Sequence, residues 1–436
     1  MDSQVIKQNT GTDSILVFVF AIGVMLSPDT LVMLGNFFGK TGNIGFFLII
    51  FSATIYFTLI SQYKQLFIFP SDDLSDIDIL KTAMGAIPAF FPFFVKTIVV
   101  VFLSTGLFVS SGFVFNEVFL YWFPNFGFAF VLLGLLLGLQ FLPDKAILYL
   151  QIGFCAIPIF GLLILIIAGI IQADQFVDFK LGDIDYSIDS LGLGTLFLPL
   201  LLFIGFDLGF NIVNKSEQKP LKNSNILFIA VIFMGMLFLL WGYVLLLYVP
   251  VGKLIDTSIP HMIAAKSILG DPGRFIMGGI VISGSLAAVH ALFTTVSKQG
   301  SILFKIDKLP GNIKISKIII LSLTLIIAGM MAGGLAGEDQ LETFIRASFI
   351  LWLILYAMIS ISHILTLGKP AKRYHNNFLL NKTVSVMCLF ILGITILILT
   401  ILDDKPILIF KFLGVALFIS LIPAVLLRLK ENKLKN

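Results

Sequence analysis

Long continuous apolar runs constrain the fold of this chain more than any other feature of its sequence. A membrane-spanning helix needs about 20 mainly apolar residues, and twelve runs reach roughly that length. Strands of a membrane β-barrel would instead alternate polar and apolar residues at every second position. The sequence therefore predicts an all-α polytopic membrane protein with twelve transmembrane helices. The predicted spans are 14–35, 42–62, 84–119, 126–142, 146–171, 192–213, 225–249, 273–303, 315–336, 341–366, 382–402 and 407–427.

The composition places nearly all of the chain in lipid. Of its 436 residues, 58% are hydrophobic and 12% are charged, whereas about a quarter of the residues in soluble domains are charged. The short connections contain no phosphate-binding Walker motif, which favours energy from ion gradients over ATP. The net charge of +4 is dispersed, which argues against nucleic-acid binding. Cys155 and Cys388 lie in apolar runs without metal-ligand spacing, so we interpret them as core residues and expect no cofactor.

The distribution of positive charge predicts the orientation in the membrane. An even number of spans places both termini on one side, and most of the 29 Lys and Arg residues lie in the connections of that side. The positive-inside rule makes this side cytoplasmic. We therefore expect a multi-pass plasma membrane protein with cytoplasmic tails at 1–13 and 428–436. The first tail lacks a cleavage pattern, which indicates an uncleaved first span.

Two spans are interrupted by helix-breaking residues and acids. The first contains Gly23 to Thr30, in which Pro28 removes a backbone donor, and the sixth contains Phe203 to Gly209. Paired interruptions of this kind are typical of inverted-repeat secondary transporters, whose substrates bind at exposed half-helix ends. The alternative is that these are packing and kink residues, which are common in membrane helices. The candidate substrate-binding residues are Gly23, Ser27, Asp29, Thr30, Ile204, Gly205, Phe206 and Asp207.

Ionisable residues inside the spans are candidates for coupling transport to an ion. Lys96, in the third span, requires a buried acid, and Asp29 is the candidate partner. The alternatives are snorkelling towards the interface or a fixed structural pair. His290 in the eighth span is either a proton relay or a satisfied core histidine. Two acidic stretches, 72–78 and 174–189, are interpreted as solvated faces.

Four motifs resemble the amino acid-polyamine-organocation (APC) transporter superfamily. The sixth-span stretch Phe203 to Asp207 matches a pattern of F-x-G-F followed by an acid. The other three are looser and keep the family's order. One joins Ser297-Lys298, late in the eighth span, to Leu309-Pro310 in the loop that follows, and another is Lys81-x-Ala83-Met84-Gly85 with Phe90 at the start of the third span. The last is Leu142-Pro143-Asp144-Lys145, between the fourth and fifth spans. A Lys219-Pro220 pair also follows the sixth span.

The resemblance implies a LeuT-type fold of two inverted five-helix repeats, here 14–171 and 192–366, followed by accessory helices in 382–427. Ser27-Pro28-Asp29 replaces the family's G-S-G, whose amides commonly hold a carboxylate. Either the substrate is an amine or another cation, or Lys96 neutralises Asp29 and the remaining amides still bind a carboxylate. In sodium-coupled relatives eighth-span hydroxyls serve a sodium site, which points to Thr294 and Thr295. In proton-coupled relatives a buried lysine can replace that sodium.

These observations together predict a secondary active transporter (permease) for amino acids or related small amines. It is driven by an ion gradient, with the proton favoured over sodium, or by exchange, and acts as a symporter or antiporter. Its expected partners are a small-molecule substrate, the coupling ion and the lipid bilayer. The alternatives are a substrate sensor that keeps the fold without transport, and a polytopic membrane enzyme, which normally shows denser clusters of His, Asp and Glu.

Overall fold

The computed structural model describes residues 10–67, 75–173, 192–212, 220–255, 257–304, 314–335, 339–367 and 378–435. The regular structure of this part of the chain is helical. The helices are α1 Thr10–Ile22, α2 Pro28–Thr41, α3 Ile44–Leu66, α4 Asp76–Met84, α5 Phe91–Val118, α6 Asn125–Leu139, α7 Asp144–Gln172, α8 Leu193–Phe197, α9 Pro199–Leu202, α10 Pro220–Tyr248, α11 Val251–Ile255, α12 Pro260–Leu269, α13 Asp271–Phe304, α14 Ile315–Ala332, α15 Asp339–Leu367, α16 Phe378–Ile401 and α17 Pro406–Lys435. Two 3-10 segments, Pro88–Phe90 and Phe206–Ile212, complete the set.

Nine helical segments of the described residues are long and apolar enough to cross a membrane. They coincide with nine of the predicted spans, so the prediction of an all-helical, multi-pass membrane protein is confirmed. The other three predicted spans contain shorter apolar helices, at Asp13–Ile22, Asn125–Leu139 and Pro406–Ile422. The count of twelve spans therefore stays a prediction.

The first predicted span is divided into two helices, as its sequence predicts. Helix α1 ends at Ile22, and α2 begins at Pro28 after a turn. A proline in the first helical position loses no hydrogen bond, because that amide has no intrahelical acceptor. Ser27 caps α2 by accepting a hydrogen bond from the backbone N–H of Thr30 at 3.4 Å. Local chemistry therefore determines where this helix restarts.

The sixth predicted span is interrupted at its glycine. Helix α8 ends at Phe197 and α9 at Leu202. The chain then continues as the 3-10 segment that begins at Phe206. Gly205 between them has φ +101°, a backbone conformation that side chains with a Cβ atom rarely adopt. The sequence can make this turn because glycine stands at that position.

Helix α13 is the central element of the bundle, with contacts to α5, α7 and α14. It approaches the first interruption closely, since a Cβ atom on Gly284 would lie 2.5 Å from the carbonyl oxygen of Leu26. The second of these 3-10 segments, Phe206–Ile212, packs against α1 and is called the 3-10 segment from here on. Helix α4 packs against α15 and α5. Helices α11 and α12 pack against α2. This arrangement encloses both interruptions within the protein.

Candidate functional site

The two interruptions meet in the folded chain. A Cβ atom on Gly205 would lie 2.8 Å from the Cβ atom of Val24, which places the sixth-span turn directly on the first-span turn. The backbone N–H of Gly205 donates to the Tyr356 hydroxyl on α15 at 3.2 Å. The structure thus brings the turns of the two interruptions into contact, although they are far apart in the sequence.

Hydroxyl groups satisfy much of the polar backbone at the first interruption. The side chains of Ser27 and Thr30 lie 3.0 Å apart, and the Thr30 hydroxyl donates to the carbonyl oxygen of Val24 at 3.3 Å. Gly23 faces α7 and α13, because a Cβ atom there would lie 2.7 Å from Gln151 Nε2 and 3.1 Å from Ala291 Cβ. Gly23 is therefore required for close packing of α1.

Asp29 lies half-buried in the first turn of α2. An acid in this position interacts favourably with the helix dipole. The charged group that acts on it is Glu342 of α15, which is also negative. Within the described part of the chain Asp29 makes no ion pair, so its carboxylate is available to a positively charged group.

Lys96 pairs with two other acids, and the expected pair with Asp29 is wrong. Its ammonium group lies 2.7 Å from Asp207 Oδ2 and also forms an ion pair with Asp76, and all three side chains are completely buried. The same ammonium lies 5.9 Å from the centre of the Trp352 ring. Helix α5 presents Lys96 to α4 and to the 3-10 segment, so the packing of these elements selects its partners. We call Asp76, Lys96 and Asp207 the ion triad.

Asp76 was expected on a solvated face, and this expectation is wrong. Ser75 caps α4 by accepting from the Asp78 N–H at 3.3 Å, which places Asp76 in the first turn. Asp76 and Leu80, one helical turn apart, are both fully buried. Their i, i+4 spacing is the sequence signal that could have placed Asp76 on the buried face of a helix. The other acids of this stretch before Ser75, and those of 174–189, lie outside the described residues.

Aromatic side chains that sequence reasoning missed surround Asp207. The Tyr356 hydroxyl donates to Asp207 Oδ1 at 2.7 Å. The Tyr56 hydroxyl donates at 2.6 Å to the carbonyl oxygen of Leu200, in the last turn of α9. Phe206 contacts the rings of Tyr56, Tyr63 and Tyr356. These residues read as ordinary core aromatics, because no local motif marks them.

His290 belongs to a second buried polar group, between α1, α7 and α13. Its Nδ1 lies 2.8 Å from Gln151 Oε1. The Gln151 amide in turn donates to the carbonyl oxygens of Val19 and Ala287, at 3.3 and 3.1 Å. His290 therefore contacts an amide and not a charged group.

The two threonines proposed for coupling lie on the same helix as His290. In the described part of the chain, the buried hydroxyl oxygens of Thr294 and Thr295 have no hydrogen-bond partner, and neither has Nε2 of His290. Buried polar atoms are normally bonded, so these atoms are free to bind a small polar group or ion.

Several minor expectations are resolved by the structure. Cys155 and Cys388 are free and buried, in agreement with their interpretation as core residues. Glu117, near the end of the third predicted span, is 65% exposed and lies 3.4 Å from Arg274. The pair Lys219-Pro220 lies outside the fully described residues, and so does the Leu309-Pro310 end of the eighth-span motif.

The fold is similar to that of a membrane transporter. The chain aligns with the crystal structure of the Eremococcus coleocola manganese transporter in complex with an aromatic bis-isothiourea substituted compound, with a TM-score of 0.58 and 14% identity. The alignment covers 98% of this chain and 96% of the transporter. A histidine-to-alanine variant of that transporter aligns with a TM-score of 0.56 and 14% identity, over 98% and 94% of the two chains.

No family model matches the sequence, and no curated protein matches it. The likeness to the manganese transporter is a likeness of fold, and the sequence resemblance to the APC superfamily stays a prediction. The chain is therefore a multi-pass membrane protein with the fold of a membrane transporter.

Proposed function

We propose that this protein is a secondary active transporter of the plasma membrane. The observation that carries the proposal is the contact between the two interruptions, where Gly205 packs on Val24. Broken helices that meet inside a bundle expose peptide groups to a substrate and allow one group of helices to rock against the other. The manganese transporter has the same fold, which supports the proposal.

We further propose twelve spans in a LeuT-type arrangement, with repeats at 14–171 and 192–366 and accessory helices in 382–427. The interruption of the first helix in each repeat supports this division. Both termini are assigned to the cytoplasm on the distribution of Lys and Arg. In this orientation α4 lies on the cytoplasmic side and α12 on the outer side.

The substrate is proposed to carry a positively charged amine, as in amines and amino acids. The alternative hypothesis, in which Lys96 neutralises Asp29 and the remaining amides bind a carboxylate, is not supported, because Lys96 pairs with Asp76 and Asp207 instead. Asp29, which forms no ion pair with any described residue, is the natural receptor for an ammonium group. Ser27, Thr30 and the peptide groups of Ile204 and Gly205 complete the proposed site.

We do not propose manganese, the metal named for the similar transporter, as the substrate of this chain. Manganese is bound by several carboxylate, carbonyl and water oxygens. In the described residues no group of three or more His, Cys, Asp or Glu side chains is placed to hold a metal ion. Two of the buried carboxylates already pair with the ammonium of Lys96, so they are not free to coordinate a metal ion. The donor set is thus better suited to an organic amine.

A proton is proposed as the coupling ion, and exchange remains the alternative mode. A buried lysine with acidic partners supports the proton. The free hydroxyls of Thr294 and Thr295 are the feature that would serve sodium instead. The two ions are distinguished by replacing sodium with potassium at constant pH.

The test is a thermal-shift panel on detergent-purified protein, followed by uptake into liposomes. The panel contains amines, α-amino acids, organic acids and manganese chloride, at two pH values and in sodium or potassium. A ligand that binds the folded state raises the melting temperature by mass action. We expect amines and amino acids to do so, and organic acids and manganese to have no effect.

Two variants make the panel specific. Asp29→Asn should abolish the shift caused by amines, whereas Glu342→Gln, which removes a nearby exposed acid, should retain it. Binding without uptake would identify a sensor, and chemical conversion of a bound compound would identify an enzyme. An equal shift in wild type and Asp29→Asn would remove Asp29 from the site.

A further inference from the structure

The ion triad carries an unbalanced charge. Two carboxylates, Asp76 and Asp207, face the single ammonium group of Lys96, so the fully ionised triad has one excess negative charge. All three side chains are completely buried. An uncompensated charge in a buried, dry environment is strongly unfavourable. The closed structure therefore favours the uptake of one further positive charge.

Among the described residues, no fourth charged side chain forms an ion pair with the triad. Besides the triad itself, the titratable groups that act on Asp207 are the hydroxyls of Tyr356 and Tyr56, and Tyr63 of α3 lies close to both carboxylates. Tyrosine is neutral at physiological pH. In the described parts of α13 and α14, which also pack on α5, no charged side chain lies within ion-pair distance of the triad.

The triad has a free acceptor for a proton. Oδ1 of Asp76 is buried and makes no hydrogen bond of regular geometry within the described part of the chain, and the Tyr63 hydroxyl, also without a regular partner there, lies beside this carboxylate. Asp207, in contrast, accepts from Tyr356 through Oδ1 and lies against Lys96 through Oδ2. Resting on the transport function proposed above, we propose that the ion triad is the site of the coupling proton, with one proton shared between the carboxylates of Asp76 and Asp207. The proton is transferred from hydronium in the surrounding water, so that one O–H bond of hydronium breaks, leaving a water molecule, and one O–H bond to a carboxylate oxygen forms.

The position of the triad explains how this proton is coupled to movement. Its members come from α4, from α5 and from the segment that follows the sixth-span interruption. With the proton bound the triad is neutral and suits a closed, dry interior. After the proton leaves, the excess negative charge favours separation of these elements and entry of water. Opening on the side of α4 therefore releases the proton on that side.

Infrared difference spectroscopy tests this site without any substrate. Purified protein in lipid nanodiscs is measured in H₂O and D₂O at neutral pH, and the probe is the carbonyl stretch of a protonated carboxylic acid. We expect wild type to show this band. Asp76→Asn and Asp207→Asn should each lose it, because the remaining carboxylate and Lys96 then form a neutral pair. Lys96→Met should strengthen it, because two carboxyl groups then require protons.

Two further variants assign the band. Asp78→Asn, on the same helix as Asp76 and outside the triad, should leave it unchanged. Loss of the band in Asp29→Asn, with retention in the Asp76 and Asp207 variants, would overturn the proposal. Absence of the band from wild type would do the same. If Asp207→Asn does not fold, Asp76→Asn on the peripheral helix α4 provides the same comparison.

The outcomes separate this site from the transport function. If liposome uptake fails for every compound but the band follows the triad, the proton site stands and the transport proposal fails. If uptake is observed but the band is absent or survives both Asn variants, transport stands and the triad is a fixed structural cluster. In that case the coupling proton or ion binds elsewhere.

Discussion

The Lys96 ammonium lies 2.7 Å from Asp207 Oδ2, with both side chains completely shielded from solvent. This ion pair joins the second turn of α5 to the segment that follows the sixth-span interruption. Lys96 therefore holds the interrupted helix against the rest of the bundle, and the same contact places two buried carboxylates around one cation. The following predictions examine this pair and the parts of the fold that position it.

Lys96→Met should destabilise the protein by about 3–5 kcal/mol at neutral pH, because it removes the cation from a buried pair of carboxyl groups. Thermal unfolding in detergent measures the loss. Lys314→Met breaks an exposed pair with Asp144 and should cost less than about 1 kcal/mol. Equal losses in the two variants would contradict a buried structural role for Lys96.

Gly205→Ala should lower stability by about 1–3 kcal/mol from backbone strain, with a further loss from overlap with Val24. Its φ of +101° and the 2.8 Å approach to Val24 Cβ are the reasons. The double variant Gly205→Ala, Val24→Gly should relieve the overlap and retain the strain, because only glycine lacks the Cβ atom that the new methyl group would meet. Gly134→Ala, where a Cβ atom meets nothing within 4 Å, serves as the control and should not destabilise. An unchanged melting temperature in Gly205→Ala would show that the turn is not constrained.

Tyr356→Phe should destabilise the protein by about 1–3 kcal/mol, because it removes a buried hydrogen bond to a charged acceptor. The hydroxyl donates to Asp207 at 2.7 Å and accepts from the Gly205 N–H. Chemical denaturation of the two proteins measures the difference. Tyr121→Phe, at a position that is 86% exposed, is the matched control with little expected effect. A neutral result for Tyr356→Phe would mean that Asp207 does not depend on this donor.

His261 should make the folded protein less stable in mild acid. Burial in α12, outside the spans, lowers the pKa of His261 from 6.5 to about 4. The unfolded chain therefore binds a proton below pH 6.5 that the folded protein does not bind until about pH 4. Stability is complete above pH 6.5 and falls by about 3 kcal/mol as the pH is lowered through this window. His261→Leu should remove this contribution in a melting-temperature profile against pH, and an identical acid-side fall in both proteins would contradict it.

The helical segments and their interruptions were largely predictable from the sequence. Pro28 and Ser27 end and restart the first predicted span through local backbone chemistry, and Gly205 permits a conformation that other residues avoid. These signals act over a few residues, so an isolated stretch of sequence carries them. The candidate residues at both interruptions were found for the same reason.

The partners of Lys96 were not predictable in this way. Asp29 was chosen because it was the acid of the first interruption, and Asp76 was assigned to a solvated loop because it lies in an acidic stretch. Tyr356 and Tyr56 carried no signal at all, since a tyrosine in an apolar span is most often a core residue. Their roles arise only when α3, α4 and α15 pack around the 3-10 segment.

By itself the sequence determined that the chain is a helical membrane protein and where its first and sixth predicted spans are broken. These properties follow from the length of apolar runs and from residues that lack an amide hydrogen or a Cβ atom. Only the tertiary structure decided which carboxylates meet the buried ammonium, and that Asp29 is not one of them. An ion pair depends on atomic distances of a few ångströms between separate helices, and the packing of the whole bundle sets those distances.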